Sequence, residues 1–177
     1  MFLVVLAVAA AARSTPADTL VVVIRHAEKA GPSGDVPLSS LGEARARDLV
    51  PLAREAGISA VVTTQFLRTR QTAAPTLQAL GITPDVVAAT ANASEHARQI
   101  ATLVRERYQG RAVLIVGHSN TVPAIIAALG GPSMRDLCES EYDRLFVLSM
   151  SEGAPPRLVQ SRYGRPSPAD STCAAMR

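Results

Sequence analysis

The chain has 177 residues, of which 47% are hydrophobic and 19% charged, which suits one globular domain with a single buried core. The formal net charge is +3, but acidic and basic residues are interleaved and aromatic residues make up only 3% of the chain. This composition argues against a nucleic-acid partner, because such proteins carry a basic patch and stacking side chains.

The first residues predict an export signal. The apolar run from Phe2 to Ala12 is too short to span a bilayer as a helix, and small residues at Ala12 and Ala17 suit signal cleavage. No Lys or Arg precedes the run, unlike a typical signal peptide. We therefore expect residues 1–17 to be a signal peptide and 18–177 to form the domain. The protein would be exported, periplasmic or secreted, with no stable membrane insertion after cleavage.

Cys138 and Cys173 are the only two cysteines. An even pair in an exported chain favours a disulfide, which would tie the C-terminal tail to the domain. Two unpaired buried thiols are the alternative.

The first predicted strand ends on two polar side chains. The unbroken apolar run Leu20–Ile24 is typical of a buried parallel strand, and Arg25 and His26 follow it directly. Reactive groups of open α/β sheets gather at such strand ends. Because neighbours on a regular strand face opposite ways, Arg25 and His26 can share a ligand only if the strand ends at this pair.

Helices and strands then alternate along the chain. Apolar side chains three and four residues apart and capping residues predict helices, and short β-branched runs predict strands. The order predicts one three-layer α/β domain, a mostly parallel sheet with helices on both faces. The predicted helices cover residues 40–56, 66–80, 94–108 and 121–129, and the later strands cover 60–64, 84–88, 112–118, 145–149 and 158–161.

Residue patterns in the first and third predicted helices predict a capping box, a buried face and one exposed side chain. Ser40 and Glu43 have the spacing of a capping box at the start of the first helix. His96 lies off the apolar face of the third helix, so we expect it to be exposed. The inward face of the first helix is predicted to consist of Leu41, Ala44, Leu49, Leu52 and Ala56.

A second apolar strand also ends on a histidine, His118. The carboxyl ends of parallel strands lie at one edge of a sheet. We therefore expect His26 and His118 to lie together, although they are far apart in sequence.

Two short motifs contain these histidines, and a third lies between them in the sequence. They are Arg25-His26-Ala27-Glu28, the segment FLRTRQTA at 66–73 and the segment VGHS at 116–119. In form and in order they resemble the signature motifs of the histidine phosphatase superfamily, the phosphoglycerate mutase-like proteins. The resemblance covers residues 20–129 and implies the phosphoglycerate mutase-like fold.

The resemblance implies roles for four residues. His26 would attack a phosphomonoester and form a phosphohistidine that water then hydrolyses. Arg25, Arg68 and His118 would bind the phosphate and stabilise its developing charge, with His118 also counted as catalytic. Because these side chains supply the positive charge, neither a metal nor another cofactor is implied. Arg70 would point away from Arg68 on a helix and is expected at the surface.

The proton donor to the leaving group is less clearly defined. Relatives use a Glu between the second and third motifs or an Asp directly after the second histidine, where this chain has Ser119. Glu95 is the candidate of the first kind, but the helix dipole explains an acidic residue there equally well. Glu28 is expected to orient Arg or His side chains. Small family members without an obvious acid include phosphohistidine phosphatases.

Parts of the sequence suggest four alternative functions. The segment GHSNT at 117–121 is close to the nucleophile elbow of α/β-hydrolases, but no His follows His118 to complete a triad. A zinc site of His26, Glu28 and His118 would lie beside arginines that oppose a cation. A non-catalytic phospho-ligand-binding protein on the same fold and a phosphoglycerate mutase-type phosphotransferase are further alternatives.

We therefore expect a metal-independent phosphomonoester hydrolase. Its substrate would be a small phosphorylated molecule or a phosphoprotein, and the segments 31–37, 84–94 and 135–144 are predicted to line the mouth of the site.

Overall fold

The computed structural model describes residues 17–168. Most of the predicted signal peptide and Cys173 lie outside the described residues, so the signal peptide and the Cys138–Cys173 disulfide stay predictions. Within residues 17–168, no helix has both the length and the apolar character needed to cross a membrane.

The described residues form strands and helices close to the predicted ones. The strands are β1 (Thr19–Arg25), β2 (Ile58–Thr63), β3 (Asp85–Val86), β4 (Ala112–Gly117), β5 (Arg144–Met150) and β6 (Arg157–Arg162). The helices are α1 (Ser40–Glu55), α2 (Leu67–Leu80), α3 (Ala93–Arg107) and α4 (Thr121–Ala128).

All of these strands belong to one sheet with the order β3-β2-β4-β1-β5-β6. The strands β3, β2, β4 and β1 pair in parallel, and β5 runs antiparallel to both β1 and β6. Helices α1 and α2 pack together, as do α3 and α4. The predicted three-layer α/β fold, with a mostly parallel sheet between two helical layers, is confirmed.

Strand β1 is buried on both faces, which explains why its apolar run is unbroken. Val21 and Val23 pack in the core formed with α3 and α4, and Val22 and Ile24 pack in the core formed with α1 and α2. This burial fixes the central strand, and with it the position of the polar pair that follows.

The predicted inward face of α1 is wrong in part. Leu41 and Leu52 are 41% and 37% exposed, whereas the buried side of the helix includes Arg45. Gly42 lies on this buried side, and its position leaves no room for a side chain, since an added Cβ would lie 2.3 Å from the Glu28 carbonyl oxygen. The buried residues of α1 are Gly42, Arg45, Ala46, Leu49 and Ala53.

The cap of α1 also lies one residue earlier than predicted. The Ser39 hydroxyl accepts a hydrogen bond from the Gly42 amide at 3.2 Å, so Ser39 is the N-cap and Ser40 is the first helical residue.

The expectation that His96 is exposed is wrong. Its side chain is fully buried, and Nδ1 lies 3.1 Å from the Ala88 carbonyl oxygen. The connection from β3 to α3 supplies this carbonyl, so the apparently polar side of the first turn of α3 faces protein. Burial lowers the pKa of His96, and the ring is therefore a neutral part of the interior.

Candidate active site

The ends of β1 and β4 bring the two histidines together. Arg25 pairs with Gly117 in the parallel register, and the His26 amide donates to the Gly117 carbonyl at 2.9 Å. The two imidazole ring centroids are 5.4 Å apart. The predicted proximity of His26 and His118 is confirmed, and β1 ends at Arg25 as a shared site requires.

An open cavity of about 380 Å³ lies at this edge of the sheet. It is lined by all four residues predicted to handle phosphate and by parts of two predicted mouth segments. Among the described residues, the lining consists of Arg25, His26, Lys29, Phe66, Arg68, Ala89, Thr90, Ala91, His118, Ser119, Asn120, Thr121 and Glu139.

The tautomer of His26 follows from a contact of its ring with the backbone. Nδ1 lies 2.8 Å from the Ala27 carbonyl oxygen, and a carbonyl can only accept, so Nδ1 carries the hydrogen and Nε2 has the free lone pair. Burial lowers the pKa of His26 to about 3, and the positive charges of Arg25 and Arg68 act in the same direction. His26 is therefore a neutral imidazole with one basic nitrogen.

His118 is held by buried hydroxyl groups. Its Nε2 lies 3.1 Å from Thr64 Oγ1, which lies 2.9 Å from Thr69 Oγ1. Burial lowers the pKa of His118 to about 3, and the positive charges of Arg68 and Arg25 act in the same direction. The Phe66 ring packs edge-on against the His118 ring, with 5.4 Å between the ring centroids. The Thr64 hydroxyl and the Phe66 ring therefore both fix the orientation of His118.

Arg25 is the most enclosed cation of the site, with 1% of its side chain exposed. Nη1 donates to the carbonyls of Cys138 and Glu139 at 2.7 and 3.1 Å, and Nη2 donates to the Glu139 carboxylate at 2.7 Å. The guanidinium also stacks on the Tyr142 ring at 4.2 Å. The connection between α4 and β5 thus positions Arg25.

Arg68 enters the cavity from the first turn of α2. Its guanidinium lies 4.3 Å from the Phe66 ring centre and 3.8 Å from Asp35 Oδ1. In the same turn, the Thr72 hydroxyl donates to the Arg68 carbonyl at 2.7 Å and accepts from the Ala27 amide at 2.9 Å. This hydroxyl joins the second motif to the first, while Arg70 is exposed as predicted.

Glu28 points away from the cavity and binds Arg45. Three nitrogen–oxygen contacts of 2.7 to 3.0 Å join the two side chains, so Glu28 orients an Arg of α1 and does not complete a zinc site with the histidines. Within residues 17–168, no cluster of three or more His, Cys, Asp or Glu side chains could hold a metal ion.

Glu95, the predicted proton donor, is not among the residues that line the cavity. Its exposed carboxylate is hydrogen-bonded to Arg98, and this contact lowers its pKa. Glu139 lines the cavity instead. From the sequence, Glu139 could be placed only within the predicted mouth segment 135–144, because no motif or periodicity indicates a role for this residue.

The chain has the phosphoglycerate mutase-like fold, and two histidines and two arginines lie at one edge of its sheet. Residues 21–94 match the family model described as Histidine phosphatase superfamily (branch 1), which confirms the predicted resemblance. The match includes Arg25, His26 and Arg68, whereas the position of His118 rests on the structure.

Solved structures with the same fold include a mycobacterial hydrolase, with 16% identity and a TM-score of 0.63 over 90% of this chain and 97% of the other. The protein histidine phosphatase SixA complexed with tungstate has 19% identity and a TM-score of 0.61, covering 81% and 96%. A mycobacterial glucosyl-3-phosphoglycerate phosphatase has 16% identity and a TM-score of 0.60, covering 81% and 97%. Among curated proteins, no match to this chain was found.

Proposed function

We propose that this protein is a phosphomonoester hydrolase that forms a phosphohistidine on His26 without a metal ion. The observation that carries the proposal is the 2.8 Å contact of His26 Nδ1 with the Ala27 carbonyl. It leaves Nε2 as the nucleophilic nitrogen of a ring that lines the cavity. Because the pKa of His26 is lowered to about 3, no proton has to leave the ring before attack.

The cations around His26 suit the transfer of a phosphoryl group. Such reactions depend on positioning and on stabilising negative charge at the phosphate oxygens. Arg68 offers a planar guanidinium that can bind two of these oxygens. Arg25, at the end of β1, and His118, directly after β4, also line the cavity. A phosphate dianion would raise the pKa of His118 and favour its charged form.

The family match and the names of the structural neighbours support a phosphatase. Those names include a protein histidine phosphatase and a sugar-phosphate phosphatase, so the substrate class proposed here is a small phosphorylated molecule or a phosphoprotein. The finer assignments, namely the phosphohistidine and the roles of His26, Arg25, Arg68 and His118, are part of this proposal.

The test is hydrolysis of p-nitrophenyl phosphate in the presence of EDTA. The wild type should turn over, and His26→Ala and His26→Asn should lose the activity, by at least about 1,000-fold. Acid quenching of the wild type would destroy a phosphohistidine, so the phosphoenzyme should be trapped at alkaline pH. Arg68→Gln tests the proposed phosphate contact of Arg68. Its matched control is Arg70→Gln, because the Arg70 side chain is exposed.

Three outcomes would contradict the proposal. Equal rates of wild type and His26→Ala would exclude His26 as the nucleophile. Binding of phosphate without any turnover would indicate a non-catalytic binder on this fold. Phosphate transfer to an added phosphoglycerate in preference to water would indicate a mutase.

A further inference from the structure

We propose that Glu139 is the catalytic residue that protonates the leaving oxygen of the substrate, a role that rests on the phosphatase function proposed above. Glu139 lies in the connection between α4 and β5. Of the described residues, it is the only one with a carboxylate that lines the cavity. Cleavage of an alkyl or aryl phosphate requires such a group, because the leaving oxygen takes the electron pair of the broken bond.

The position of Glu139 relates it directly to the phosphate site. Its carboxylate lies 2.7 Å from Arg25 Nη2, where an oxygen of a bound phosphate is expected. Arg25 itself is fixed by the Cys138 carbonyl and the Tyr142 ring, whereas the Glu139 side chain is 74% exposed. The carboxylate is therefore the movable partner of this ion pair.

In the ligand-free protein, the charge of Glu139 is stabilised. Burial raises its pKa, but the hydrogen bond and charge of Arg25, with the charges of Lys29 and Arg68, outweigh this effect and hold the pKa below its usual range. The free enzyme thus keeps an internal anion at Arg25, which a phosphate must displace.

Substrate binding reverses this balance. A phosphate dianion that takes the Arg25 contact removes the strongest stabilisation of the carboxylate and places a like charge beside it, and both changes raise its pKa. Glu139 then takes up a proton while remaining next to the phosphoester. The same displacement that binds the substrate therefore prepares the acid.

The reaction can be written with all atoms balanced. His26 Nε2 forms a bond to phosphorus as the bond from phosphorus to the ester oxygen breaks. The ester oxygen takes the proton of Glu139, and the resulting alcohol leaves. Water then attacks the phosphohistidine and gives a proton to the Glu139 carboxylate. The bond from phosphorus to nitrogen breaks, and inorganic phosphate leaves.

The test compares two esters that differ in their need for a proton. Phenyl phosphate has a basic leaving group, whereas 2,4-dinitrophenyl phosphate has a leaving group that departs as an anion. In Glu139→Gln and Glu139→Ala, kcat/KM for phenyl phosphate should fall about 100-fold, because kcat/KM reports the steps up to the phosphohistidine, in which the proton is needed. For the dinitrophenyl ester, kcat/KM should stay within about threefold. With phenyl phosphate, kcat of the wild type should fall at alkaline pH as Glu139 loses its proton in the substrate complex, and this fall should disappear in the Glu139 variants.

Glu106→Gln is the matched control, because Glu106 is exposed on α3, and circular dichroism checks that each variant is folded. A similar fall of kcat/KM with both esters in the Glu139 variants would mean that Glu139 only positions Arg25, and would overturn the proposal. A leaving-group effect in Glu95→Gln but not in Glu139→Gln would move the role to Glu95. If the wild type hydrolyses neither ester, the phosphatase function fails, and this role fails with it.

Discussion

Glu28 and Arg45 form an ion pair that ties the end of the central strand to α1. Arg45 Nη2 lies 2.7 Å from Glu28 Oε1, and Arg45 also donates to the carbonyls of Tyr163 and Arg165 at 3.0 and 2.8 Å. One buried guanidinium therefore holds the first motif, a helix and the segment after β6. The site depends on this contact because Glu28 lies two residues after His26.

We expect Arg45→Met to destabilise the protein by about 3–5 kcal/mol, because it leaves the Glu28 carboxylate without its buried partner. Urea denaturation measures the change. Arg47→Met is the control, since Arg47 is exposed on the same helix. Equal losses in the two variants would show that the ion pair contributes nothing specific.

Thr64→Val should lower kcat about tenfold, corresponding to the loss of one hydrogen bond to His118. The neighbouring Thr63 provides a close control, since its hydroxyl is buried without a hydrogen-bond partner among the described residues. Thr63→Val should therefore leave kcat unchanged. Steady-state kinetics with p-nitrophenyl phosphate distinguishes the two, and equal rates for both variants would mean that Thr64 does not orient His118.

Arg68→Lys should lower kcat/KM about tenfold or more, even though the charge is kept. Lys is a point charge and cannot bind two phosphate oxygens in one plane, and each donor to the transferring group contributes strongly to the rate. Arg70→Lys, two residues along the same helix, should have no effect. A wild-type value for Arg68→Lys would show that only the charge at residue 68 matters.

The stability of the fold should fall as the pH is lowered from about 6.5. Burial lowers the pKa of both His26 and His118 to about 3, whereas unfolded histidines titrate near pH 6.5. Between these values the unfolded chain binds more protons than the folded one, so the free energy of unfolding decreases by about 1.4 kcal/mol per pH unit for each ring.

Urea denaturation at several pH values from about 6.5 to 5 measures this slope before most carboxylates titrate. His26→Asn should reduce the slope by about 1.4 kcal/mol per pH unit. An unchanged slope in this variant would contradict a neutral His26 in the folded protein.

The proposed export of the protein predicts a disulfide between Cys138 and Cys173. Thiol titration of the denatured, unreduced protein should then find no reactive thiol, and reduction should release two. Two reactive thiols before reduction would refute the pairing. N-terminal sequencing of protein recovered from the producing cells tests cleavage after Ala12 or Ala17.

The sequence by itself was sufficient to predict the mostly parallel sheet and the two strand ends that form the site. An apolar run such as 20–24 has to be buried on both faces, and parallel strands have to end at one edge. These local and topological rules place His26 beside His118. Arg68 could be identified because the segment 66–73 resembles the second signature motif of the histidine phosphatase superfamily.

Tertiary structure decided what the local pattern could not. Glu139 contacts Arg25 across 114 positions of sequence, and no helical or strand period relates residues so far apart. His96 is buried because the Ala88 carbonyl meets its ring, and Arg45 is buried because Glu28 and two carbonyls surround it. Most buried polar groups have hydrogen-bond partners, and for His96 and Arg45 folding alone brings those partners together.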